Sequence, residues 1–124
     1  MVQNELLDKI GDERLSIHVV WTPVLPKDEY RAAFTAREFI TDPRATHYWD
    51  GDMYLGTAFG KSLELPNGRD FAWDIYFAFP DGVRWEETVP TPSDFAHQLG
   101  LDERHLSDGS RLREIVEGLL KELE

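Results

Sequence analysis

The chain has 124 residues, no cysteine and a formal net charge of −11, from 24 acidic against 13 basic side chains. Without cysteine it can form no disulfide, thiolate metal ligand or cysteine nucleophile. Its charge repels a phosphate backbone, whose binding rests on Lys and Arg, so neither nucleic acid nor an anionic membrane is an expected partner.

Hydrophobic residues make up 41% of the chain, enough for one packed core, and no apolar run approaches the ~18 residues of a membrane span. The opening MVQNELLDKIGDE has no basic stretch leading into an apolar one, so it does not read as a secretory signal. A single domain over residues 1–124, soluble and cytoplasmic, is the expectation.

In chain order, Asn4 is placed to cap a short helix over 4–10 that buries Leu6, Leu7 and Ile10 and ends at Gly11. LSIHVVW, residues 15–21, is a β-branched run with little polarity, as expected of a strand covered on both faces. Thr22, Pro23 and Pro26 end it. The spacing of Ala32, Ala33, Ala36, Phe39 and Ile40 predicts a helix over 28–40, with the early acids Asp28 and Glu29 at the positive end of its dipole.

A strand over 45–49 follows, then a turn at Asp50-Gly51-Asp52 whose last residue can cap the next helix. In that helix Leu55, Ala58, Phe59, Ser62 and Leu63 form one stripe. The least ambiguous signal is FAWDIYFAFPDGVRW, residues 71–85. Large apolar residues alternate from Phe71 to Phe79, Asp81-Gly82 suits a tight turn, and Val83 to Trp85 starts a second run of strand type, so a β-hairpin is expected.

Thr91-Pro92-Ser93-Asp94 has the residues of a helix start, predicting a short helix that stops at Gly100. A final helix from Ser107 or Ser110 is predicted to bury Leu112, Ile115, Val116, Leu119, Leu120 and Leu123. The order describes an α/β sandwich. Its mixed sheet has about four strands and flanking helices, with the first two strands parallel across a helical connection and the hairpin near the C-terminus followed by helices.

The phrases HVVWTPVLPKD at 18–28, DPRATHYWD at 42–50 and AWDIYFAFPDGVRW at 72–85 resemble the thioredoxin-like superfamily. The likeness is to the bacterial branch with an extra helix and strand between the redox motif and the closing hairpin. Two departures follow from the resemblance. The family's opening strand and helix with C-x-x-C, where the helix dipole lowers the thiol pKa, have no counterpart here, and residues 4–10 resemble only the tail of that helix. The family's cis-proline before the closing hairpin is replaced by Phe71-Ala72. Neither half of the redox site carries over.

A strand such as LSIHVVW then faces a vacant neighbour position, and Leu15, Ile17, Val19 and Trp21 are the expected interface of a homodimer, formed either edge to edge or by stacking an aromatic face. A non-redox binding module, self-associating, is the leading expectation, and no cofactor is expected. A component of a thiol–disulfide or peroxide-handling system, with cysteines supplied by a partner chain, is the second. The third is a small metal-dependent enzyme.

For the third, His47, Asp50 and Asp52 form an H-x-x-D-x-D group at a strand end, where ligands gather in open α/β sheets, and histidine with carboxylates suits Zn²⁺ or Mn²⁺. Turn and capping roles for the two aspartates compete with that reading. Asp74, between Trp73 and Ile75, is the candidate acid or base if burial raises its pKa, against a structural role as acceptor. His18 reads as a core histidine. Trp21, Trp49, Trp73 and Trp85 read as core or interface, and His97, on a polar helix face, and His105, in a loop, carry no assignment.

Overall fold

The computed structural model describes residues 2–23, 30–63, 71–72, 75–97 and 110–123. It is a mixed α/β chain that divides into two compact units, Met1–Tyr54 and Leu55–Glu124. Among the described residues the strands assort into two two-stranded sheets, one in each unit, and the expected single sheet of about four strands is not seen among them. No described helix is long and apolar enough to cross a membrane.

The first unit opens with a helix over Val2–Leu7, wound wide enough that the Asp8 N–H reaches back to Gln3 O at 2.8 Å. Leu6, Leu7 and Ile10 are buried, as their spacing requires. The Gln3 side chain fixes the helix to the chain after residue 40, its carbonyl accepting the Thr41 N–H (3.1 Å) and its amide donating to Asp8 Oδ1 (2.8 Å).

Strands β1 (Ile17–Trp21) and β2 (Ala45–Trp49) pair in parallel, from Ile17 opposite Ala45 to Trp21 opposite Trp49. A helical connection permits this, because parallel neighbours need a crossover. Ile17, Val19, Trp21, Ala45, His47 and Trp49 share one half-buried face. On the other, His18, Thr46 and Tyr48 are exposed, so β1 is not covered on both sides as its apolar run predicts.

The crossover contains α1 (Tyr30–Ala36), which tightens into a 3₁₀ turn over Arg37–Phe39. Its predicted apolar stripe is not a core stripe. Ala33, Ala36 and Ile40 are half-buried, Ala32 is exposed, and Phe39 is 77% exposed. The change to three residues per turn at Arg37 rotates Phe39 out of the stripe that a continuous α-helix would have given it. Arg37 lies over the exposed Phe34 ring, 3.7 Å from its centroid.

Helix α2 (Tyr54–Ser62), all but its first residue in the second unit, buries Phe59 and Gly60, with Leu55 and Leu63 beside them and Ser62 exposed. Gly56 has to be glycine: a Cβ there would come within 2.5 Å of the Phe71 ring and 2.7 Å of Ala72 O, and the Ala72 N–H donates to Gly56 O at 2.8 Å. Phe59 stacks on Phe77 (centroids 4.2 Å apart) and meets Trp85 edge-on (5.6 Å), with Phe79 in contact with both.

The partner of β3 (Ile75–Ala78) is β4 (Asp94–His97), antiparallel, with Ile75 opposite His97 and Ala78 opposite Asp94. This corrects two expectations. Asp81-Gly82 does form a turn, with Gly82 at φ 84°, but Val83–Trp85 is not the returning strand. Residues 91–97 are not a helix either. The Ser93 N–H donates to Ala78 O at 2.8 Å and leads the chain into the ladder, so cross-strand pairing overrides the local helix-start signal.

His97, expected on a polar helix face, is 0% exposed in β4. The last helix, α3 (Ser110–Glu122), packs against both strands and buries Leu112 and Val116. Ile115, Leu119 and Leu120 are half-buried. Leu123, beyond the last turn, is exposed rather than buried.

Candidate functional site

The chemistry-bearing residues that the fold brings together lie on the β1–β2 sheet. Parallel pairing puts Val19 beside His47, and the next position on that face of β1 is Trp21, so indole and imidazole meet diagonally across the two strands. Trp21 Nε1–H donates to His47 Nδ1 at 3.0 Å, and the two rings lie 7° from coplanar, as an in-plane bond requires. An indole only donates, so Nδ1 is an acceptor and the ring proton sits on Nε2. That nitrogen donates to Ile40 O at 2.9 Å.

His47 is therefore a neutral imidazole with both nitrogens committed to structural bonds. It offers no lone pair to a metal in this arrangement. Asp50 is committed too. Its N–H donates to Trp21 O (2.8 Å), its carbonyl accepts from Met53 N (3.2 Å) and Thr22 Oγ1 (3.3 Å), and its carboxylate accepts the Tyr54 N–H (3.1 Å) at the start of α2.

The cap on α2 thus comes from Asp50, while Asp52, expected to supply it, is exposed in the turn. Met53 takes the left-handed conformation at φ 60° that lets the turn close in this way. His47, Asp50 and Asp52 do not converge, and among the described residues no three His, Asp or Glu side chains are grouped to hold a metal ion. Asp74 and Trp73 lie outside the described residues, as does His105.

His18 is not a core histidine. It projects from the open face, with Nδ1 2.9 Å from Tyr48 Oη and Nε2 3.3 Å from Ser16 Oγ, and the ring is tilted 30° to Tyr48. Each face of the sheet thus has one histidine joined diagonally to an aromatic side chain of the other strand. Both pairs tie β1 to β2.

The most heavily bonded group, missed by the sequence reading, is Arg44. Its guanidinium uses all five N–H donors. Nε and Nη2 grip Asp42 (2.9 and 2.8 Å), Nη1 donates to Ile10 O (2.6 Å) and Asp12 O (3.0 Å), and Nη2 donates to Leu7 O (2.9 Å). It gathers the carbonyl at the end of the opening helix, Leu7 O, with two from the segment that follows, Ile10 O and Asp12 O. The side-chain bonds from Arg44, with its backbone N–H also donating, hold the Asp42 carboxyl down to about 2. A visible signal was the Asp-x-Arg spacing at 42–44, which Asp12 and Arg14 repeat at the exposed start of β1.

The outer edge of β1 is the remaining feature. Ile17 N–H donates to Arg44 O (3.0 Å) and Trp21 O accepts from Asp50 N (2.8 Å), which fixes the parity of the ladder. Ile17, Val19 and Trp21 turn their peptide groups toward β2. Those of His18 and Val20 point away from it, and no described residue bonds them. Of the expected interface residues, Leu15, Ile17, Val19 and Trp21 are all half-buried, so what is open at β1 is its backbone edge more than their side chains. No family model, curated protein or solved structure matches the chain.

Proposed function

We propose that this chain is a thioredoxin-like α/β binding module without thiol chemistry of its own, which works by association and associates first with a second copy of itself. The observation that carries the reading is the outer edge of β1, where His18 and Val20 present backbone donors and acceptors that nothing described satisfies. Strand edges in folded proteins are normally blunted by lysine, proline or a bulge, and Ile17–Trp21 has none of these.

The thioredoxin-like assignment is supported by the order of parts: a parallel strand–helix–strand unit, then a helix, an antiparallel pair and a closing helix. The commitment of His47 and Asp50 to structural bonds favours binding over metal-dependent catalysis at the strand end.

Light scattering of the purified chain at micromolar concentration is the test. The expected mass is twice 14.3 kDa, falling toward 14.3 kDa only on strong dilution. A mass of 14.3 kDa throughout the micromolar range contradicts the reading.

A further inference from the structure

We infer that the second copy adds to β1 antiparallel about a twofold axis through Val19, making one continuous sheet in the order β2, β1, partner β1, partner β2. This rests on the self-association proposed above and specifies its register. Only His18 and Val20 within β1 turn peptide groups outward, so an antiparallel copy has to set one or both of its own against them. Three symmetric registers do so, centred on His18, Val19 or Val20.

The Val19 register alone pairs every residue of the five-residue strand. His18 and the partner's Val20 exchange two backbone hydrogen bonds, the twofold repeats them, and Ile17 meets the partner's Trp21, an aromatic and β-branched cross-strand pair. Centring on His18 sets two imidazoles directly opposite each other and leaves Trp21 beyond the paired strand. Centring on Val20 leaves Ile17 beyond it.

The lack of charge along the strand admits a second copy of this acidic chain and offers nothing to a charged strand. The chain carries a net −11, yet residues 15–23, LSIHVVWTP, contain no Asp, Glu, Lys or Arg, in a sequence that is 30% charged. In the Val19 register these nine residues lie opposite their own copy, so two strongly acidic chains meet where no like charges are juxtaposed. A basic or acidic strand would find no complementary charge there.

The absence of cysteine makes the register directly readable. In Val19→Cys the single thiol lies on the axis, at a non-hydrogen-bonded pair whose Cα atoms approach to about 4.5 Å, within disulfide reach. Mild oxidation is expected to crosslink Val19→Cys at least tenfold faster than Thr46→Cys, whose thiol sits on the exposed face of β2 away from the axis. Val20→Pro, which deletes an outward N–H and no bond to β2, is expected to keep its circular dichroism and become a monomer.

Equal crosslinking rates, or a Val20→Pro protein that is still a dimer, overturn the register while leaving self-association standing if the unmodified chain is dimeric. A monomeric unmodified chain overturns both.

Discussion

Phe59→Ala is expected to destabilise the unit Leu55–Glu124 by about 4 kcal/mol, the typical cost of truncating a fully buried phenylalanine. Phe59 is 1% exposed and stands at the centre of the aromatic cluster, stacked on Phe77 and touched by Phe79 and Trp85. The substitution removes the ring and its aromatic contacts together. Relaxation cannot readily fill the gap, because Gly56 is held by the Ala72 backbone on the same helix.

Since small domains are stable by only about 5–15 kcal/mol, a loss of this size puts the unit near its unfolding limit. Urea unfolding followed by circular dichroism and tryptophan fluorescence measures it. Phe59→Leu, which retains most of the buried volume, should cost less than half as much. A loss below about 1 kcal/mol for Phe59→Ala would mean that the core lies elsewhere.

Arg44→Lys is expected to lower the melting temperature of the chain by roughly 10 °C although the charge is kept. Lysine has three donors on one nitrogen and cannot grip Asp42 with a planar fork while also reaching Leu7 O, Ile10 O and Asp12 O. Leu7 O, at the end of the opening helix, and Ile10 O, just beyond it, then lose their guanidinium donor, the costly half of a broken hydrogen bond.

The sign of the pH dependence follows from Asp42, whose carboxyl is held at about 2 in the folded chain, below its ordinary 3.8. A depressed carboxylate contributes stability that is present in full above its unfolded value and is lost as pH falls through the folded one. The difference between the parent chain and Arg44→Gln should therefore be constant above about pH 5 and shrink as the pH falls toward 2. It should not vanish, because the guanidinium keeps its three carbonyl bonds. Thermal melts at a series of pH values check both statements, and a difference that grew in acid would show that Asp42 is not the group involved.

What the sequence made legible is what local periodicity encodes. The bounds of β2 follow from strand alternation ending at Asp50-Gly51, and the parallel pairing of β1 with β2 follows from the helical connection between them. Leu112 and Val116 are one helical turn apart, which predicts a shared buried face on α3. Non-local pairing was not legible. β3 finds its partner after the irregular stretch from Phe79 to Ser93, and the residues from Thr91 to Asp94, which read locally as a helix start, open β4 instead.

His97 was misplaced for the same reason, since its burial exists only once β4 is paired. The site divides likewise. Trp21 and His47 are 26 positions apart, and only the parallel register brings their rings into one plane. Arg44 reaches the carbonyls of Leu7 and Ile10 across more than 30 positions, and no pattern of residue types announces a backbone carbonyl as a partner.

Amide hydrogen exchange along β1 tests the open edge most directly. Val19 and Trp21 donate to β2 and should be protected at every concentration, while His18 and Val20 should be protected in concentrated solution and exchange progressively faster on dilution. Free exchange of His18 and Val20 at all concentrations, beside protected Val19 and Trp21, would show that no second chain pairs there.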